Sequence, residues 1–77
     1  MDSKLCIGRY YKAPWEFEFF VVRTSSEGNL SGIVEIRCDG STKGVLMSSG
    51  VFKGKQQLAT HLKARALAWV HSEHLAG

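Results

Sequence analysis

The last third of the sequence, Lys55–His74, carries the pattern that most constrains the fold. At about 100° per residue its apolar side chains fall within an arc of about 120°, the width of a core-facing stripe. The residues in this arc are Leu58, Ala59, Leu62, Ala66, Trp69 and Val70. Leu67 falls on the opposite side, and Gly54 and Gln57 stand at the N-cap and capping-box positions. The sequence therefore predicts one amphipathic helix over about 55–74, and the preceding chain must provide the surface that this helix covers.

Upstream of the helix, apolar and polar residues alternate as they do in strands that bury one face. The clearest run begins at Trp15 and is rich in aromatic and β-branched residues. Two segments of turn-forming residues, Ser25–Asn29 and Asp39–Gly40, separate this run from two later ones. Strands are therefore predicted over about 15–24, 30–38 and 43–49.

The N-terminal segment Leu5–Lys12 fits either a short edge strand or an extended arm. Pro14 follows it, and proline does not fit a regular central strand. The predicted fold is α+β, in the order β-β-β-α: a three-stranded antiparallel meander covered on one face by the C-terminal helix. The N-terminal segment is a possible additional edge strand of this sheet. A single domain over 1–77 buries only about 60 to 65% of its unfolded surface, so dimerisation would add stability.

Composition and cysteine placement indicate a globular protein. The hydrophobic content of 44% is that of a chain with a packed core. Cys6 and Cys38 belong to no metal-binding pattern, and we expect them to be free thiols. No stretch approaches the roughly 18 apolar residues of a membrane span, and the first residues lack the apolar segment of a signal peptide. We therefore expect a cytoplasmic protein without membrane contact.

The side chains that serve in catalysis or metal binding are sparse. His71 and His74 lie one turn apart on the predicted helix, but two ligands are fewer than the usual four of a structural zinc site. No serine or cysteine stands in a nucleophile motif. Glu16 and Glu18 share a strand face and fit a solvated edge better than an acid/base pair. We expect no catalytic residue, no metal and no cofactor, hence a non-enzymatic protein with no small-molecule substrate evident.

Charge is distributed unevenly along the chain. Residues 1–39 hold five basic and six acidic residues, whereas residues 40–77 hold five basic residues and one acidic residue. The basic residues in or just before the predicted helix are Lys53, Lys55, Lys63 and Arg65. Lys53 and Lys55 flank the helix N-terminus, where free N–H groups and the helix dipole favour an anion. These four residues are candidates for an anion or nucleic-acid site, with a simple solubilising surface as the alternative.

Two segments carry a resemblance to known families. Lys53–Leu58 followed by Ala66–Val70 resembles the C-terminal two-thirds of a double-stranded-RNA-binding domain, over about residues 15–70. In that family, lysines at the start of the last helix hold phosphates across the major groove, which implies an RNA-contacting role for Lys53 and Lys55. Gly50–Phe52 followed by an alanine-rich helix is also similar to small stand-alone bacterial β-β-β-α proteins of unassigned function.

The sheet face turned away from the helix is the second candidate surface. Its expected apolar residues are Phe20, Val22, Ile33 and Leu46. Together they are too apolar to be left in water, and such a patch marks an interface. Three glutamates on the same face, at positions 16, 18 and 35, would repel phosphates. The sequence therefore favours a protein-interaction module that forms a homodimer through its open sheet face, with nucleic-acid binding at the basic end of the helix as the alternative.

Overall fold

The computed structural model describes residues 4–24 and 29–76, which form four strands followed by one helix. The strands make a single antiparallel sheet in the order β1-β2-β3-β4, and the helix covers one face of it. The elements are β1 (Leu5–Lys12), β2 (Trp15–Thr24), β3 (Asn29–Cys38), β4 (Ser41–Val51) and α1 (Lys55–Ala76). The predicted α+β class and C-terminal helix are confirmed.

The count of three strands is corrected to four, because the N-terminal segment is a full strand. β1 pairs with β2 from Leu5 opposite Val21 to Lys12 opposite Trp15, with one bulge at Ile7. Its alternation is weak in the sequence because β1 is an edge strand whose residues are mostly exposed. Pro14 stands outside the ladder, in the β1–β2 turn.

Turn chemistry sets the register of the last hairpin. Asp39 and Gly40 have φ values of 53° and 82°, so both adopt the positive φ of a type I′ turn. This confirms the turn predicted at Asp39–Gly40. β4 is two residues longer at each end than predicted. The other predicted turn, over 25–29, lies outside the described residues except for Asn29, which begins β3.

One core lies between the helix and the sheet. The buried residues are Phe17, Phe19, Val21, Leu30, Val34, Ile36, Leu58, Leu62 and Ala66. Leu58, Leu62 and Ala66 are fully buried, which confirms the predicted stripe of the helix. Burying each large side chain contributes about 1.5 to 3 kcal/mol, so the helix is held mainly by this contact.

Two glycines on the helix side of the sheet let α1 approach the backbone. A Cβ at Gly32 would lie 2.7 Å from the Phe20 carbonyl oxygen and 2.8 Å from Leu58 Cδ2. A Cβ at Gly44 would lie 3.0 Å from the Trp69 ring. The helix therefore lies directly on β3 at Gly32, and the Trp69 ring of α1 packs on β4 at Gly44.

Two leucine side chains that the sequence predicts on outer surfaces pack against the core instead. Leu46 pairs with Val34 and packs against the core, so its placement on the open face is wrong, and its neighbours Val45 and Met47 are the exposed ones. Three consecutive apolar residues carry no alternation, so the sequence does not say which of them faces outward. Leu67 also packs against the core instead of lying on the back of the helix, because the helix crosses the sheet with one flank turned toward the β1–β2 turn.

Candidate functional site

An apolar row crosses the open face of the sheet from one edge to the other. Cys6 stands opposite Phe20, Phe20 opposite Ile33, and Ile33 opposite Met47. Directly paired residues of antiparallel strands point to the same face, so these four side chains are lateral neighbours. The predicted placement of Phe20 and Ile33 on the open face is confirmed by this register. Val22 has no cross-strand partner in β3, because a bulge falls between Val21 and Arg23.

Exposure along this row rises from Phe20 toward β4, and Cys6 at the β1 end is also exposed. Phe20 is only 8% exposed and Ile33 is half-buried, whereas Met47 is 64% exposed. Val45 and Val51 alternate with Met47 on the same strand and are 54% and 74% exposed. We call these three residues of β4 the β4 patch. They take the place of Leu46 as the contribution of the last strand to the apolar surface, and the pairing of β4 with β3 is what identifies them.

Phe20 is covered by its own chain. The Lys4 ammonium lies 4.5 Å from the centroid of the Phe20 ring and 2.6 Å from a carboxylate oxygen of Glu35. This cation–π contact and ion pair hold the lysine over the ring. Phe20 is therefore a supporting residue beneath the surface, and the accessible apolar area lies mainly in the β4 patch.

A chain of alternating charges lies beside the apolar row. Arg9 contacts Glu18 at 3.1 Å, Glu18 contacts Arg37 at 3.0 Å, and Arg37 contacts Glu35 at 2.7 Å. Glu35 also binds Lys4, which completes the charged network. Glu18 and Glu35 stand directly opposite each other, a pairing of like charges that would destabilise the sheet. Arg37 donates one N–H to each carboxylate and so removes this repulsion.

The network keeps Glu18 ionised. Its hydrogen bond with Arg37 holds the pKa of Glu18 below its usual range, against the opposing effect of burial, and the charge of Arg9 adds to the lowering. Glu18 in turn raises the pKa of both arginines. The Glu18 side chain is only 12% exposed, so the expectation of a solvated edge is wrong for this residue. An ionised carboxylate whose two oxygens both bind arginine is a structural anion, and it is poorly suited to donate a proton.

The N-terminal end of α1 is capped by its own chain. Gln57 Oε1 accepts a hydrogen bond of 2.6 Å from the Lys53 backbone N–H, and the Leu58 N–H donates to the Gly54 carbonyl at 3.2 Å. The side chains of Lys53 and Lys55 are exposed beside a shallow depression of about 450 Å³. Gln57 stands at the predicted capping-box position, but its side chain accepts from the N–H of Lys53 rather than from that of the N-cap residue Gly54. The side chains of Lys53 and Lys55 face solvent.

The other two basic candidates contact the sheet on opposite flanks of the helix. The Lys63 ammonium lies 4.1 Å from the centroid of the Tyr10 ring on β1. Arg65 extends the other way, where it donates hydrogen bonds to the Met47 carbonyl and, at 2.6 Å, to the Ser48 hydroxyl. The four basic candidates therefore do not form one continuous stripe. Arg65 instead binds a backbone group of the edge strand β4.

The remaining reactive side chains are dispersed. No three histidine, cysteine, aspartate or glutamate residues cluster into a metal site within 4–24 and 29–76. The His61 ring lies against Phe52, with 5.3 Å between ring centroids, and the side chain of His74 lies outside the described residues. Cys6 and Cys38 are free thiols. α1 is not apolar enough to cross a membrane over its described length.

Comparison of the chain with protein-family models, curated proteins and solved structures gives no significant match. The geometry of the open face and of α1 is therefore the basis for a functional proposal.

Proposed function

We propose that this protein is a small non-enzymatic interaction module that forms a homodimer through its open sheet face, with the contact centred on the β4 patch. The observation that supports this most is the concentration of exposed apolar side chains on one edge strand: Val45, Met47 and Val51 are each more than half exposed. An apolar surface of this kind next to a polar region is typical of an interface.

The charge balance of the open face favours a second copy over a nucleic acid. The charged network together with Glu16 holds three basic and three acidic side chains. A second copy would meet no net repulsion from this surface, whereas a phosphate backbone would meet three carboxylates. A two-fold arrangement also allows the network of one copy to face the network of the other with opposite charges aligned.

Arg65 makes face packing more favourable than edge pairing. Its bond to the Met47 carbonyl occupies a backbone acceptor of β4, and charged side chains that cover a sheet edge oppose the addition of another strand. We therefore infer that the two copies pack face to face with their β4 patches in contact, as the sheets of a sandwich do.

The size of the patch sets the expected affinity. Burying the exposed parts of the three patch residues and of Ile33 on each copy contributes roughly 8 to 12 kcal/mol in total. Association costs about 4 to 15 kcal/mol in lost freedom, so roughly 4 to 8 kcal/mol remains when this cost is at its lower end. This corresponds to a dissociation constant between about 1 mM and 1 μM. The dimer is accordingly a reversible one.

Sedimentation equilibrium over that concentration range tests the proposal. Met47→Glu places a charge in the centre of the β4 patch and is expected to weaken the dimer at least tenfold. Tyr11→Glu is the matched control, since Tyr11 is 70% exposed on the same face but at the opposite edge. A wild-type monomer at every concentration, or equal weakening by both substitutions, would contradict a contact centred on β4.

Nucleic-acid binding at the N-terminal end of α1 is the second candidate. It is supported by the exposure of Lys53 and Lys55, whose side chains make no ion pair within the described residues. The side chains of Lys63 and Arg65 contact the sheet instead and do not support it. It would show as amide chemical-shift changes around residues 53–57 on titration with duplex RNA at low salt, abolished by the double substitution Lys53→Glu, Lys55→Glu.

A further inference from the structure

A groove of about 470 Å³ lies between the β1–β2 turn and the C-terminal half of α1. We call it the turn groove. Phe17, which is 1% exposed, forms its floor, and the half-buried side chains of Trp15, Leu67 and Val70 form its walls. The groove is on the helix side of the sheet, so it is separate from the open face and from the β4 patch.

Two exposed nitrogen-bearing side chains stand at the rim of the turn groove. Lys12 comes from the end of β1, and His71 comes from the helix. Lys12 makes no ion pair with any carboxylate of the described chain, and none of the described lining residues is acidic. The mouth of an apolar cleft therefore carries a positive charge that is not neutralised locally, which favours an anionic group at that point.

The volume and lining of the turn groove match a small ligand. Small-molecule sites have volumes of about 300 to 1,000 Å³, apolar walls and a few polar groups that orient the ligand. A groove near the lower end of that range is too small for a helix or a strand of a partner protein. Its occupant should therefore have an apolar body and one negative charge.

We propose that the turn groove binds a medium-chain fatty acid. The hydrocarbon chain lies against Trp15, Leu67 and Val70, and the carboxylate accepts hydrogen bonds from Lys12 and His71 at the rim. The sequence did not reveal this site, because its walls come from two segments more than 50 residues apart in the chain and its residues belong to no motif.

Titration with octanoate tests the proposal, with octylamine as the matched ligand of opposite charge. The tryptophan emission, to which Trp15 and its ring neighbour Trp69 both contribute, should change saturably with octanoate, as should the amide shifts of residues 12–17 and 67–71. Octylamine should bind at least tenfold more weakly. Changes spread over the open face, no saturable change up to millimolar octanoate, or equal affinity for the two ligands would overturn the proposal.

Charge reversal at the rim gives a second test in the same assay. Lys12→Glu is expected to weaken octanoate binding about tenfold to a hundredfold, since it removes one charge-assisted hydrogen bond and adds repulsion. Lys55→Glu makes the same charge change at the opposite end of α1 and should leave octanoate affinity unchanged. Both residues are exposed, so both variants are expected to fold. Equal affinity of the two variants would contradict the role of Lys12.

Discussion

Arg37 bridges Glu18 and Glu35 on the open face, and we expect Arg37→Met to lower the stability of the fold. The substitution keeps the apolar length of the side chain but removes the two N–H donors that separate Glu18 from Glu35. These carboxylates are only 12% and 16% exposed and stand opposite each other. Each would keep one other cation, Arg9 or Lys4, so neither is left wholly unpaired.

The expected loss follows from the partial exposure of this pair. Breaking a fully buried ion pair costs about 3 to 5 kcal/mol, whereas an exposed pair contributes about 0 to 1 kcal/mol. Arg37 is 25% exposed, so we expect Arg37→Met to lower the free energy of unfolding by about 2 to 3 kcal/mol at neutral pH. A domain of this length has roughly 4 to 12 kcal/mol in all, so the variant should remain folded but be clearly weakened.

The pH dependence of this loss separates charge from packing. The folded-state pKa of Glu18 is lowered, so its contribution is present above the unfolded value of about 4.3 and is lost as pH falls through the folded-state pKa. Arg37→Met removes the main cause of the lowering, so the difference from the wild type should shrink as pH falls from 7 toward 3. Urea denaturation followed by tryptophan fluorescence measures it. A difference that is independent of pH, or an equal loss from Arg9→Met at the exposed end of the network, would refute the bridging role.

Two other substitutions test the contacts of the helix with the sheet. Gly32→Ala should destabilise the fold by about 1 to 3 kcal/mol in thermal or urea unfolding, since its Cβ would meet backbone and helix atoms, while Gly8→Ala, with its nearest contact at an ordinary 3.6 Å, should change little. If both alanines cost the same, close approach at Gly32 is not what positions α1. Arg65→Ala should increase aggregation on storage, measured by light scattering, because it frees the Met47 carbonyl at the β4 edge and leaves the buried Ser48 hydroxyl without its partner. Unchanged scattering would show that Arg65 does not protect this edge from strand pairing.

The sequence was sufficient for those elements whose side-chain period is unambiguous. The helix is predicted because its stripe repeats over several turns, and the Asp39–Gly40 turn because few residue pairs take positive φ so readily. For β1 the sequence does not distinguish an edge strand from an extended arm, because an edge strand buries few side chains and so shows little alternation. A helix or strand with one fully buried face therefore shows a clear apolar period in the sequence, whereas a mostly exposed strand does not.

The candidate sites were less predictable because they depend on register between strands. Val45, Leu46 and Met47 are all apolar, and only pairing with β3 assigns Leu46 to the core and the other two to the surface. The charged network joins residues from three segments of chain, and nothing local to Glu18 or Glu35 shows that they stand side by side. The sequence predicts the open face as an interface but places Phe20 at its surface, whereas Lys4 lies over the Phe20 ring and the accessible apolar area is on β4.

Contact between the β4 patches of two copies is most directly measured by an isotope-filtered NOE experiment on an equal mixture of labelled and unlabelled protein. The exposed Met47 methyl group is a clear reporter, because within its own chain it lies on the open face, away from the helix. We expect intermolecular NOEs from this methyl to Val45 or Val51 of the other copy at concentrations where sedimentation detects a dimer. Intermolecular NOEs confined to α1, or none at such concentrations, would contradict a homodimer formed through the open sheet face.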